Sequence, residues 1–214
     1  PSRRAPRCVV ELLSEDHDRA SFTSGVAALD DYFHHRVGQD VRRGVTCCYV
    51  LVAPEAPGVV LGFYTLSSTV IPLTDFPPEI ARRLPRYPNI PATLLGRLAI
   101  SLAHRGKGLG KHLLIDALTV SLRQSQKVAS AAVVVDAKDN AARAFYRRYG
   151  FIPLPDTPSR LFLPMKTIAR LLRGGHPVPS SLRFPVREPP GIRLPTARAM
   201  SLKNRSMQRV LVLG

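Results

Sequence analysis

The stretch Arg105-Gly106-Lys107-Gly108-Leu109-Gly110-Lys111 constrains the fold of this chain more than any other. It follows an apolar run at residues 93–100 and opens an amphipathic one at 108–127, so it reads as a turn from a strand into a long helix. Alternating glycines let successive backbone N–H groups turn inward together, and a helix N-terminus adds roughly half a positive charge. Arg105, Lys107 and Lys111 increase the attraction, and the result is a cradle for phosphate. It is not a P-loop, because Arg105 occupies the position five before Gly110 and His112 stands where Ser or Thr would hold magnesium. Nor is it a dinucleotide fingerprint, because the glycines run G-x-G-x-G without the two-residue gap.

Around this turn the pattern alternates. Residues 8–13, 46–53, 59–69, 93–100, 131–136 and 161–165 read as strands, with 46–53 and 59–69 forming a hairpin across a Pro/Gly turn. Ser24 is placed to cap a helix carrying Val26, Leu29, Phe33 and Val37 on one face and ending before Gly44. A short helix is expected at 78–84, with Pro78 near its start. The helix at 108–127 presents Leu109, Leu113, Ala117, Leu118 and Leu122 to the core. Asp139 caps a last helix running to Tyr149, which Gly150 stops. The order β-α-β-β-α-β-α-β-α-β predicts a mixed α/β domain.

Two motifs in these elements carry a resemblance. The pattern R-x-x-G-x-G, here Arg105-x-x-Gly108-x-Gly110, resembles the acyl-CoA pyrophosphate loop of the GNAT (GCN5-related) N-acetyltransferases. Downstream, Asp139-x-x-Ala142-x-x-Phe145-Tyr146-x-x-x-Gly150-Phe151 is similar to the second GNAT signature. Asp139 replaces the commoner Asn there; it can cap the helix but has no N–H to donate to CoA. The runs Glu11-Leu12-Leu13…His17-Asp18, Leu29-Asp30-Asp31-Tyr32-Phe33, Leu95-Gly96-Arg97-Leu98-Ala99-Ile100 and Val135-Asp136-Ala137-Lys138-Asp139 look like the GNAT toxins of bacterial type II toxin–antitoxin pairs. That family usually has Cys-Gly where this chain has Ser24-Gly25, a position that reads as structural.

The resemblance covers roughly residues 8–170. It implies a GNAT fold: a mixed, mostly antiparallel central sheet flanked by helices, with a splayed strand pair that binds acetyl-CoA. Backbone groups of Leu98, Ala99 and Ile100 would pair with the pantetheine arm, and residues 105–111 and Asp139 would surround the rest of the cofactor. It also implies acetylation of the α-amino group of aminoacyl-tRNA, which blocks translation. A ribbon-helix-helix antitoxin that binds operator DNA would neutralise the enzyme, and the toxin would be a homodimer. No metal is implied.

Tyr146 is the expected general acid for the departing thiolate, since a phenol with ordinary pKa near 10 is mostly protonated at neutral pH. Phe145 and Tyr149 are expected to face the core, with Tyr146 about 100° away. Strand 95–100 offers no carboxylate or histidine as base, and His104 and His112 only flank the loop. That absence favours a weakly basic α-amine over lysine. Arg36, Arg42 and Arg43 on the first helix, Arg82, Arg83 and Arg86 in the proline-rich stretch, and Arg97 on the strand are candidates for a tRNA track.

Composition fits this reading without selecting it. The net charge is +16, and half of it lies in residues 170–214, where nine basic residues face one acid, Glu188. A basic surface attracts nucleic acid, acidic proteins or phosphorylated cofactors alike. Residues 1–172 are expected to form the acetyltransferase domain and 173–214 a basic, proline-rich, disordered tail. No apolar run approaches the ~20 residues of a membrane span, and no signal-peptide core follows Pro1-Ser2-Arg3-Arg4. The cysteines Cys8, Cys47 and Cys48 have no metal-ligand spacing and suit a reducing cytoplasm. Two other readings stay open: a GNAT acting on a small amine, antibiotic or protein N-terminus, and a basic binding module with a vestigial CoA site.

Overall fold

A computed structural model describes residues 8–173 of the chain; the expected basic tail, from residue 174 on, lies outside the described residues. Seven strands form one sheet in the order β1-β2-β3-β4-β5-β7-β6. They are β1 (Val9–Leu12), β2 (Cys47–Ala53), β3 (Ala56–Pro72), β4 (Asn89–Ile100), β5 (Ala132–Asp136), β6 (Ile152–Pro153) and β7 (Arg160–Pro164). Every neighbouring pair is antiparallel except β4 and β5. A parallel pair needs a crossover, and the 16-residue helix α4 (Leu109–Gln124) supplies it. The other helices are α1 (Ala27–Asp31), α2 (Val37–Arg42), α3 (Pro78–Ala81), α5 (Asn140–Arg148) and α6 (Met165–Arg173).

Alternation along the strands divides the core between two faces. On β5, Val133 and Val135 join one cluster and Ala132 and Val134 another. The first cluster packs the sheet against Leu113, Leu114, Ala117 and Leu118 of α4, Tyr146 of α5 and Ile168 of α6. The opposite face carries two clusters. Tyr32, Phe33 and Val37 cover Val50, Val52, Phe63 and Ala99, while Phe76 and Leu154 cover Ile90, Ala92, Val134 and Phe162. The boundary between these two falls on β4, where Gly96 is exposed in mid-strand.

Several elements depart from expectation. The first helix is interrupted by a π-helical segment, Tyr32–Arg36, whose wider turn buries the adjacent pair Tyr32 and Phe33 together. Its N-cap is Val26 rather than Ser24; the Ser24 hydroxyl instead accepts from the Val26 N–H at 3.2 Å and donates to Asp30 at 2.5 Å. The hairpin turns at Pro54 and Glu55, and Pro57 and Gly58 lie inside β3. There Val52 opposes Val60 and Ala53 opposes Ala56, so residues 57–59 bulge out and the Gly58 carbonyl accepts from the Asp18 N–H. The two-residue β6 is too short to show a period, and the last strand passes straight into α6, which was not expected.

Two contacts set the spacing of α4 from the sheet. A Cβ on Gly62 would come within 2.7 Å of Ile100 Cδ1 and 2.8 Å of the Ala99 carbonyl oxygen, so only glycine lets β3 approach β4 there. Tyr64, fully buried, donates to Asp116 Oδ2 of α4 at 2.6 Å and stacks on Tyr49 with ring centroids 4.8 Å apart. Burial pushes the Asp116 carboxyl above its ordinary value, against the Tyr64 hydrogen bond and the Arg123 charge that favour ionisation. A raised carboxyl contributes stability that is present below its unfolded value and lost as pH rises through its folded one. Asp116→Asn should therefore raise the melting temperature at pH 7, with the gain vanishing as the pH falls toward about 4. Thermal melts across that range check this; a gain independent of pH would rule out charge burial as its source.

Candidate functional site

The site begins where β4 loses a partner. Strand β3 accompanies β4 along its whole length, but β5 pairs only with Thr93, Leu94 and Leu95 and ends at Asp136. Residues 96–100 thus have a strand on one side and an open edge on the other. The β3–β4 register shifts between Thr65 and Leu66, with Gly96 the unpaired extra residue, which bends the strand away from β5. The edge carries Leu98, Ala99 and Ile100, paired on the other side with Tyr64, Phe63 and Gly62. Ala99 is buried beneath the first helix, while Leu98 and Ile100 pack against the α4 cluster, so their side chains hold the strand and their backbone faces the gap. An unpaired strand edge is a template for an extended ligand.

The open strand leads through Ser101 into a single 3₁₀ turn, Leu102–His104, and then the glycine loop. Gly106 and Gly108 have φ of +77° and +78°, and Gly108 is the N-cap of α4, where no side chain caps the helix. A Cβ on either would meet nothing within 4 Å, so conformation and not crowding by the chain requires glycine. Uncapped N–H groups and open space above a long helix's N-terminus suit a phosphate. Leu109 is partly buried, Gly110 lies against Ile100, and Lys107 and Lys111 are exposed beside the opening. The ring nitrogens His104 Nδ1 and His112 Nε2 are buried with no hydrogen-bond partner among the described residues, and burial pushes the His112 imidazole below its ordinary value.

Arg105 is used differently from expectation. Its guanidinium donates to the Ser24 carbonyl, in the turn before α1. That turn is organised by Asp30, whose Oδ1 accepts from the Ser24 N–H at 2.7 Å and the Ser24 hydroxyl, and whose Oδ2 accepts from Thr23 Oγ1 at 3.1 Å. Burial raises the Asp30 carboxyl, but these donors outweigh it and leave it below the ordinary value. The Thr23 carbonyl in turn accepts from the Leu102 N–H at 2.8 Å. Ser24 is thus structural, as its position suggested, and Asp30 is the carboxylate that holds it.

Asp139 is the N-cap of α5, accepting from the Ala142 N–H at 2.7 Å and pairing with Lys138 at 2.8 Å. The Lys138 and Ala142 hydrogen bonds hold its carboxyl below the ordinary value. On this helix the expected orientation holds for Phe145 and Tyr149, which pack against the core cluster, but Tyr146 joins that cluster instead of pointing away from it. Tyr146 is the buried residue, 9% exposed, while Phe145 and Tyr149 are only partly buried. The cause is the tight end of the helix: Gly150 at φ +86° turns the chain so that the Phe151 N–H bonds the Tyr146 carbonyl and the Phe151 ring packs on Tyr146, centroids 5.4 Å apart. Burial pushes the Tyr146 phenol up to about 12, so it stays protonated throughout the neutral range.

The basic candidates separate into two exposed groups. Arg36, Arg42 and Arg43 lie along the first helix, with Arg36 paired to Asp31 at 3.1 Å, and Arg82, Arg83 and Arg86 crowd the connection after α3. Arg97 belongs to neither. It is partly buried, with its guanidinium carbon 3.4 Å from the centroid of the Tyr32 ring. Beside the first helix a cavity of about 320 Å³ is lined by His17, Asp18, Arg19, Ala20, His34 and His35. Among the described residues, no three of His, Cys, Asp or Glu gather as metal ligands.

Comparison with known proteins follows this geometry. Residues 46–153 match the family described as the acetyltransferase (GNAT) domain. The tRNA-acetylating toxin of Mycobacterium tuberculosis is 35% identical over 160 residues, 75% of this chain and 93% of the relative. The probable toxin TacT of Sinorhizobium fredii is 31% identical over 175 residues, 78% of this chain and 96% of its own. The structure of AtaT complexed with acetyl-methionyl-tRNAfMet superposes with a TM-score of 0.72 at 31% identity, covering 77% of this chain and 99% of AtaT. Other solved relatives are AtaTR bound with acetyl-CoA, AtaT bound to the C-terminus of the antitoxin AtaR, and a KacTA–DNA complex.

The open, positive-φ corner of the loop is directly testable. Gly108→Val should cost about 1–2 kcal/mol by forcing a side chain into left-handed backbone, and its side chain should fill the space above the helix end. Calorimetric titration should then show CoA binding lost in a protein that still melts cooperatively. Undiminished binding would place the phosphate elsewhere.

Proposed function

Because the chain belongs to the GNAT acetyltransferase family, we propose that it acetylates the α-amino group of aminoacyl-tRNA with acetyl-CoA and so blocks translation. The observation that carries this is 35% identity to a tRNA-acetylating toxin across 93% of that toxin. The residues around the open strand and the glycine loop fit the cofactor's requirements. The uncapped α4 N-terminus with Gly106, Gly108 and Gly110, flanked by Lys107 and Lys111, takes the pyrophosphate. The backbone of Leu98, Ala99 and Ile100 takes the extended arm, and Asp139 fixes the start of the helix that carries Tyr146. Acetyl-CoA supplies an activated thioester; the chain positions it and manages protons and charge.

The neutral α-amine attacks the thioester carbonyl, and a strand N–H at the open β4 edge stabilises the oxyanion. The C–S bond then breaks, Tyr146 donates its proton to the leaving thiolate, and the attacking nitrogen releases its extra proton to water, from which the phenolate is reprotonated. A phenol raised to about 12 by burial is a weak acid in the ground state, yet it is reliably protonated when the thiolate forms. The charged tRNA lies across the two arginine groups, Arg36, Arg42 and Arg43 on one side and Arg82, Arg83 and Arg86 on the other. Arg97, held on Tyr32, lines the strand between them.

The relatives complexed with an antitoxin and with DNA support a toxin–antitoxin pair that meets DNA; the antitoxin's fold type, the homodimer and the compartment are proposed from the sequence resemblance. A cognate antitoxin of the ribbon-helix-helix type neutralises the enzyme and carries it to operator DNA, the toxin is a homodimer, and it acts in the cytoplasm. No helix among the described residues is long and apolar enough to cross a membrane.

Purified protein with labelled acetyl-CoA should label charged tRNA and leave uncharged tRNA and a lysine peptide unlabelled. Label on the peptide would transfer the activity to another amine, and no label with CoA still bound would favour a binding module. Tyr146→Phe should lower kcat at least a hundredfold while the Kd for acetyl-CoA changes less than about twofold. Wild-type kcat in that variant would remove Tyr146 from the chemistry.

A further inference from the structure

We infer that Asp30, a residue outside the cofactor loop, is a positioning residue for acetyl-CoA, acting through Ser24 and Arg105. The inference rests on the reading that the glycine loop holds the cofactor. The loop's glycines are conformationally free, so something else must fix where it begins. Its entry, residues 101–105, is tied to the body at two points outside its own 3₁₀ turn and the sheet: the Leu102 N–H on the Thr23 carbonyl at 2.8 Å, and the Arg105 guanidinium on the Ser24 carbonyl. Both acceptors sit in one three-residue turn, Thr23 to Gly25. Gly25 is at φ +70°, and the isobutyl group of Leu102 packs against its Cα side.

That turn lacks regular structure of its own. It is held by the Asp30 carboxylate, which gathers the Ser24 N–H, the Ser24 hydroxyl and the Thr23 hydroxyl from the first turn of α1. Ser24 is 1% exposed, so its hydroxyl has no water to replace the acid. Remove the carboxylate and the carbonyls of Thr23 and Ser24 lose their fixed direction; the anchor points of the loop go with them. Arg105 is then a strut between the first helix and the loop. Its hydrogen bond is to the protein.

The test uses the full chain and CoA itself, titrated calorimetrically. Asp30→Ala should weaken CoA binding about tenfold, the scale of losing hydrogen bonds to a charged group, at temperatures where the variant remains folded. Arg105→Gln should weaken it similarly. The double variant should be no weaker than the poorer single one, because both changes cut one linkage. Fully additive losses would mean that Arg105 grips phosphate independently of Asp30 and would overturn the inference. So would an unchanged Kd in Asp30→Ala. Should Asp30→Ala fail to fold, Thr23→Val and Ser24→Ala each remove one donor and should each weaken CoA binding by a smaller factor; wild-type affinity in both would equally overturn it. If the unaltered chain itself does not bind CoA, the loop reading falls and this inference with it.

Discussion

Strand β4 outlasts its parallel neighbour. With β5 it makes three pairs and then continues to Ile100 with β3 alone beside it, because β5 stops at Asp136 and the chain turns into the helix capped by Asp139. Backbone N–H and C=O groups cannot be left unpaired in a dry interior. The edge must therefore face solvent or an extended ligand, and that requirement organises the rest of the domain. Gly96 bulges to bend the strand off β5. Gly62 removes the side chain that would push β3 from β4. Helix α4 starts where the free strand ends, so its N-terminus and the open edge face one cleft.

Packing explains why the gap stays open. The α4 face is one continuous cluster, and the opposite face is divided between the first helix on β2–β4 and the Phe76–Leu154 group on β4, β5 and β7. The division coincides with the bulge, so Gly96 lies exposed between the two clusters. The stabilising contacts lie to either side of it: the stacked Phe33 and Phe63 rings, 4.3 Å apart, and the edge contact of Phe76 with Phe162. A cleft placed between two well-packed clusters can be wet and still rigid.

What could be read from sequence was what the local chain decides. The glycine loop, the Asp139 cap and the Gly150 stop depend on residues within a few positions, and all three stand as expected. Side-chain partners set by tertiary approach could not be read. Arg105 meets Ser24 across 81 positions, Tyr64 meets Asp116 across 52, and Arg97 meets the ring of Tyr32. The burial of Tyr146 has the same kind of cause. Helical spacing alone places it away from Phe145 and Tyr149, but Phe151 folds back past Gly150 and encloses it. The π-helical turn likewise answers to the need to bury Tyr32 and Phe33 together, which a 3.6-residue period does not contain.

The proton inventory of the cleft then bears on what can react there. Residues 94–100 carry no carboxylate or histidine, and the raised Tyr146 phenol can give a proton but cannot take one at neutral pH. Along this strand an incoming amine therefore meets no base, which favours one that is already neutral. At pH 7.4 an α-amine of pKa near 7.8 is neutral about a third of the time, and a lysine of pKa near 10.4 about 0.1% of the time. The difference is some 300-fold in competent nucleophile before any contact is made. An ester next to the amine withdraws electrons and widens it further. A strand that offers no base beside a phenol that protonates the leaving group thus discriminates by acceptor basicity, and an aminoacyl ester is the acceptor it disfavours least.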